Sequence, residues 1–274
     1  MASRPFILVT NDDGVYAPGI KHLWKALQDF ADVMVVAPAS EQSAVSLSIT
    51  IRRPLRIERV DWPFIDAKVW SVNGTPADCV KLALSVILPS APHLIVSGIN
   101  RGSNAGRNVL YSGTVAAVIE GVLHNIPGIA FSFADFLNPD YAAVERYIPL
   151  IIRYILENPL PSGTFLNVNF PKERENGLKG IRFVKQGKEY WAENPDQREH
   201  PTECSPYYWL GAKLAQFQED TNSDIVLLRE GYATAVPIQI SDLTNQLYLE
   251  QNRKKFETLV NQSLEIRDQA AINK

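Results

Sequence analysis

From Phe6 to Leu156 the apolar residues follow two alternating rhythms. Short apolar runs at 6–9, 33–37, 49–59, 67–72, 93–96 and 126–133 predict strands, and the first ends abruptly at the polar segment TNDDG. Between the runs, apolar residues recur at helical spacing. Ile20, Leu23, Trp24 and Leu27 form one stripe that Phe30 closes, and Val80, Ala83, Leu84, Ile87 and Leu88 form another, which Pro89 stops. Val115, Val118, Ile119 and Val122 predict a third helix, and 141–156 is amphipathic through Val144, Tyr147, Ile148, Ile151, Ile152 and Ile155. The second helix has a start signal: Thr75 at the N-cap, Pro76 in the first helical position and Asp78 in the third. Strands alternating with helices imply an α/β fold with a mostly parallel sheet in three layers.

After Pro159 the rhythm changes. Strands are predicted at 165–170 and 181–185, and at 225–229 and 233–240 on either side of a turn at Gly231. Residues 189–210 are polar, aromatic and proline-rich without clear periodicity. From Ser241 a helical face carries Leu249, Phe256, Leu259, Val260 and Leu264. The expected organisation is a catalytic core over 1–158 and a C-terminal part over 159–274, the two forming either separate units or one continuous domain.

Composition narrows the function classes. Hydrophobic residues are 46% and charged residues 21% of 274 positions, a globular balance that rules out global disorder. The net charge of -3, with no basic tract, argues against long nucleic acid as a partner. A small anionic substrate stays compatible, because one bound cation reverses the local field. Cys79 and Cys204 make neither a disulfide framework nor a metal spacing, and Cys79 on an apolar helical stretch reads as a small buried hydrophobe. The first residues are too short an apolar run for a signal peptide, and no segment reaches the length of a membrane helix. The expectation is a cytoplasmic protein.

Asp12 and Asp13 are the strongest local signal for chemistry. They follow a buried strand and precede Gly14, so a bend there brings both carboxylates toward one cation, and hard oxygen donors suit magnesium, manganese or calcium. A solvated turn with an Asp helix cap uses the same residues. The loop over 97–108 follows another strand and carries Asn100, Asn104 and Asn108 among glycines, either as neutral ligands and NH donors or as an ordinary flexible loop. Ser112 and Thr114 in YSGTV stand at a helix entrance, where they serve as N-caps or hold a phosphate. Ser43 lies past the second strand and is by itself an unremarkable loop serine. What joins these elements is topology, since they follow the carboxyl ends of predicted parallel strands, where open α/β sheets place ligands. His22, His93, His124 and His200 show no metal-ligand spacing, and no serine-hydrolase elbow, Walker loop or dinucleotide fingerprint is present.

ILVTNDDGV, SVNGTPADCVKLAL, SGINRGSNAG and YSGTVAAVIEG, in that order, resemble the SurE family of 5'/3'-nucleotidases, and NSDIVLLREGYATAVPIQISDLT resembles its later segment. The resemblance implies a Rossmann-like α/β core with a C-terminal β-hairpin and helix extension. It implies one divalent cation, magnesium or manganese, held by Asp12, Asp13, Ser43 and Asn100. Asn104, Ser112, Gly113 and Thr114 would line the phosphate position, with Asn11 supporting the site. The implied activity is hydrolysis of nucleoside 5'- or 3'-monophosphates, with short polyphosphate as a further substrate. The implied assembly is a homodimer or homotetramer that exchanges C-terminal elements. Asn222 and Ser223 depart from the family's more usual acidic and hydroxyl pair before Asp224, and ATAVPIQI replaces a more usual VSVTPL run. Those changes leave the implied metal set intact and bear on substrate preference and subunit exchange. Two rival chemistries use the same residues: a phosphatase with an aspartyl nucleophile, and a nucleotide-binding regulatory module without turnover.

Overall fold

The structure is a computed structural model that describes residues 4–63, 65–172, 177–192, 194–211, 213–215 and 217–272, with side chains described as far as residue 262. In chain order the elements begin β1 (Phe6–Thr10), α1 (Pro18–Leu27), β2 (Asp32–Pro38), β3 (Ile57–Val60) and β4 (Lys68–Val72). Helix α2 (Pro76–Leu82) is prolonged by a π turn, Ala83–Ile87, and followed by β5 (Leu94–Arg101) and a 3-10 turn, Gly106–Leu110. Then come α3 (Gly113–Leu123), β6 (Gly128–Phe133), α4 (Ala142–Glu145), α5 (Ile148–Glu157) and β7 (Thr164–Phe170). The last part holds β8 (Ile181–Phe183), β9 (Tyr190–Ala192), β10 (Asp196–Glu199), β11 (Pro206–Trp209), β12 (Lys213–Ala215), α6 (Asp224–Glu230), β13 (Ala233–Gln239) and α7 (Gln246–Ile272).

The main sheet has the order β3-β4-β2-β1-β5-β6-β7-β13-β8. Strands β4, β2, β1, β5, β6 and β7 run parallel, β3 pairs antiparallel with β4, and β13 is antiparallel to β7 but parallel to β8. From β1 the chain builds outward through β2 to β4, then returns to place β5 on the other side of β1. The order therefore reverses between β1 and β5, which opens a crevice at their carboxyl ends. Alternate residues of the strands feed two cores. Ile7, Val9, Val35 and Val96 face the helices that carry Ile20, Leu23, Ile148 and Ile152. Leu8, Val36 and Ile95 face the side of Cys79, Val80 and Ala117. This is the three-layer α/β core expected from the sequence.

The Thr75 signal forms a full capping box, with Thr75 and Asp78 each accepting from the other's backbone N–H. Three expectations are corrected. The segment 225–229 is not a strand: it lies in α6, capped by the Ser223 side chain at one end and by Gly231, at φ 97°, at the other. Those caps are legible helix signals that the short apolar run outweighed. Of the strand expected over 49–59, only Ile57–Val60 forms. The helix expected over 141–156 is two, with Pro149 in the first turn of α5.

The aperiodic aromatic segment contains strands after all. Strand β9 pairs with β12, and β10 with β11, both antiparallel, which gives the C-terminal hairpin. Trp191, Tyr208 and Trp209 are exposed on it. By Cα packing the chain falls into two compact units, Met1–Gln239 and Ile240–Lys274. Within the second, α7 exposes Leu249, Phe256, Leu259 and Val260; the side chain of Leu264 lies outside the described residues. No helix among the described residues is long and apolar enough to cross a membrane.

Candidate active site

Strand β1 delivers Asn11, Asp12 and Asp13 to the crevice. Gly14 takes φ 99°, a backbone conformation that costs glycine little, and the chain turns there under a hydrogen bond of 2.9 Å from Asn11 Nδ2 to the Gly14 carbonyl. Asn11 Oδ1 is buried without a partner among the described residues. Asp12 is almost fully buried. Its Oδ1 accepts a hydrogen bond of 2.5 Å from Thr114 Oγ1, so the start of α3 and the end of β1 are joined across 102 residues of chain. Gly113 makes that junction possible. A Cβ there would stand 2.8 Å from Asp12 Cβ and 2.9 Å from its Oδ2, closer than packed atoms tolerate. Ser112 caps α3 by accepting from the Val115 N–H.

The other elements close round this pair. Asp13 Oδ2 accepts from the Arg101 N–H at 3.1 Å, which ties β1 to the end of β5 next to Asn100. Asn100 donates through Nδ2 to the Gly102 carbonyl at 2.9 Å, and that commitment makes Oδ1 the end of the amide available to a cation. On the β2 side, the Gln42 N–H donates to the Asp12 carbonyl at 2.7 Å, placing the following residue, Ser43, at the rim. Ser43 is exposed, and its hydroxyl donates to Glu41 Oε1 at 2.7 Å. The structure thus gathers Asp12, Asp13, Ser43, Asn100 and the 112–114 turn round one crevice.

Asn104 is placed differently from the expectation of a free phosphate donor. It is buried, and its Nδ2 donates to Ser132 Oγ at 2.8 Å. Two asparagines of β7 hold the backbone around it. Asn169 Oδ1 accepts from the Asn104 N–H at 2.8 Å and from Ser103 Oγ at 3.1 Å, and Asn167 Nδ2 donates to the Asn104 carbonyl at 2.9 Å. Farther along, buried Asp224 accepts from the backbone N–H of Gly106 at 2.8 Å and of Gly187 at 2.7 Å. Neither Asn167, Asn169 nor Asp224 was singled out from the sequence for a role at the site. The signal was there for the asparagines: two residues unfavourable in strands, spaced to face the same side of one.

Electrostatics favours a cation. Burial pushes the Asp12 carboxyl up to about 7, against the hydrogen bond from Thr114, and the neighbouring Asp13 charge adds to the rise. Burial also raises Asp13, opposed by the Arg101 N–H and guanidinium and assisted by Glu41. Arg101 stands against three carboxylates here, reaching Glu41 at 3.8 Å. A divalent ion would relieve that imbalance, and the donor set of carboxylate, hydroxyl and amide oxygens suits a hard one. No group of three His, Cys, Asp or Glu residues is arranged for a metal among the described residues. A site in which Ser and Asn supply half the donors would not form such a group. Each histidine is occupied locally: His22 with Glu145, His93 with the Phe6 N–H, His124 with Glu120, and His200 in its own turn. Cys79 is buried and its thiol is pushed up by burial, as a structural cysteine is.

Comparison with known proteins identifies the family of the chain. The family model of survival protein SurE matches residues 7–193. The 5'-nucleotidase SurE of Protochlamydia amoebophila is 64% identical over 261 residues, covering 95% of this chain and all of that protein. The protein of the same name from Flavobacterium psychrophilum is 43% identical over 243 residues, 88% of this chain and 94% of its own. The crystal structure of the SurE protein from Aquifex aeolicus superposes with a TM-score of 0.79 at 36% identity, covering 92% of this chain and all of that one. The chain belongs to the SurE family.

Proposed function

We propose that the protein is a divalent-metal-dependent phosphomonoesterase that hydrolyses nucleoside monophosphates to nucleoside and phosphate. The observation that carries this reading is the contact between a buried, acid-rich cation position and a helix start: Thr114 donates to Asp12 while Gly113 packs against it. Cation and anion positions in contact are what a phosphate dianion needs. The names of the relatives, 5'-nucleotidase, support the same substrate class.

In this reading Asp12, Asp13, Ser43 and Asn100 hold the cation, with magnesium or manganese the expected occupant. Such an ion supplies Lewis acidity at a phosphoryl oxygen and lowers the pKa of a bound water. Asp12 or Asp13 takes the proton from the attacking water, since each has one oxygen fixed by a protein donor and a second oxygen left over. The Gly113 and Thr114 N–H groups at the start of α3 have no helical partner and would receive the phosphate, while the Ser112 and Thr114 hydroxyls hold the Val115 N–H and Asp12 beside them. Asn104 holds the facing loop and offers its second amide hydrogen. Phosphate release from a panel of nucleotides, with and without a chelator, tests the reading. A tight nucleotide complex without phosphate release would favour a regulatory module, and a covalent phospho-enzyme would favour an aspartyl nucleophile.

Asn104→Ala is expected to lower kcat on the order of 10²-fold while metal affinity changes less, as for other lost donors to developing charge, whereas Thr114→Ala, which takes the donor away from Asp12, should lower both turnover and metal affinity. Normal turnover at saturating metal with collapsed metal affinity would reverse the assigned roles. The exposed aromatics of the hairpin and the apolar row of α7 support a homodimer or homotetramer built through C-terminal elements. Deleting residues 249–274 is expected to give smaller or aggregating species by light scattering, and a monomeric intact protein at micromolar concentration would exclude the assembly.

A further inference from the structure

The space beside Asp13 is larger than a phosphate and a metal ion require. A cavity of about 740 Å³ opens there, with Asp13, Glu41, Arg101, Leu137 and Tyr141 in its walls. That volume is in the range of pockets that take up whole small ligands. Behind Arg101 in that wall stands Phe136. Phe136 is 57% exposed, although it stands in a loop whose shape is fixed by Asp135 Oδ1, which accepts from the N–H groups of Leu137 and Asn138 at 3.1 and 3.2 Å. Its ring lies over Gly102, where a Cβ would be 3.5 Å from Phe136 Cδ2. The guanidinium carbon of Arg101 is 4.7 Å from the centre of the same ring.

Arg101 is therefore held at three points: its N–H on Asp13, its guanidinium on Phe136, and its tip toward Glu41 at 3.8 Å. An aromatic ring restricts the guanidinium and keeps its flat cationic group at the cavity wall. Flat cationic surfaces of this kind stack on nucleobases, whose faces are polarisable whatever the base. Exposed Leu137 adds an apolar edge to the same wall.

We infer that Arg101, backed by Phe136 and flanked by Leu137, is the nucleobase platform of the active site, with the nucleoside part of the substrate in the cavity on the Asp13 side. The inference rests on the phosphomonoesterase reading for the position of the phosphate, and it adds where the base goes. Stacking of this kind tolerates purines and pyrimidines alike, so the platform predicts broad base acceptance with a preference for the larger purine face.

The test compares two substrates that differ only in the base, AMP and ribose 5-phosphate, in the wild type, Phe136→Ala, Phe136→Trp and Tyr111→Ala, the last removing the exposed ring at the turn before α3, the other aromatic beside the phosphate-binding turn. Adenosine binding is measured in parallel by calorimetry. The expected result is a fall of about tenfold in the ratio of kcat/KM for AMP to that for ribose 5-phosphate in Phe136→Ala, because an Arg101 guanidinium no longer held by the ring loses a stack of the size measured for single bases. Phe136→Trp should keep the ratio, and adenosine should bind the wild type more tightly than Phe136→Ala. An unchanged ratio in Phe136→Ala, or a ratio that moves with Tyr111 instead, overturns the platform while leaving the hydrolase standing. If neither substrate is hydrolysed, the hydrolase reading fails, and the adenosine titration alone decides whether the platform exists.

Discussion

Asp12→Asn is expected to abolish turnover, by on the order of 10³-fold or more, in a protein that folds as well as the wild type. The carboxylate sits where burial disfavours its charge, so replacing it with a neutral isostere does not remove a stabilising ion pair from the metal-free fold. Thr114 Oγ1 can still donate to the asparagine oxygen, which keeps the junction between β1 and α3. What the substitution removes is the charge that binds a cation. Asp13→Asn should behave similarly but leave more residual activity, because Asp13 is less buried and its partner, the Arg101 N–H, remains satisfied. The measurement is phosphate release alongside a thermal melt of each metal-free variant. Near-wild-type turnover in both variants, or wild-type activity that survives a chelator, would sink the metal-dependent reading.

The legible part of this protein was whatever followed from local pattern. The parallel core was readable because each strand is a buried apolar run and each helix shows one apolar stripe, so period and burial agreed. The cap at Thr75 was readable because a capping box is a four-residue signal. Asp12 and Asp13 stood out as adjacent charges at the end of a buried strand. Where local pattern and tertiary setting diverged, the sequence misled. Ile225 to Arg229 is an apolar run too short to show a helical period, and only its caps separate helix from strand. The hairpin strands escaped notice because their side chains are largely exposed and need not alternate. Asn104 read as a ligand-facing amide, whereas its placement depends on Ser132, Asn167 and Asn169, 28 to 65 residues away. Such pairings are set by strand order, which no local window contains. The Arg101–Phe136 pair is hidden for the same reason, since it joins the ends of two different strands.

Metal binding should depend steeply on pH, and the sign follows from Asp12. Its folded-state pKa of about 7 lies above the usual 3.8, so between those values the folded protein holds a proton that the unfolded chain releases. The contribution of Asp12 to the stability of the metal-free protein should therefore fall as pH rises from about 4 to 7, by on the order of 4 kcal/mol, and level off above 7. A cation reverses the trend because it needs the ionised carboxylate. Below pH 7 each ion bound displaces one proton from Asp12, so affinity should rise about tenfold per pH unit and about 10³-fold from pH 4 to pH 7. Calorimetric titration with manganese in buffers of different ionisation enthalpy counts that proton directly, and the metal-induced rise in Tm should grow over the same interval. Asp12→Asn should flatten both curves. An affinity for manganese that is constant between pH 5 and pH 7, with no proton released, would place the cation away from Asp12 and return the buried carboxyl to a purely structural role as the acceptor for Thr114.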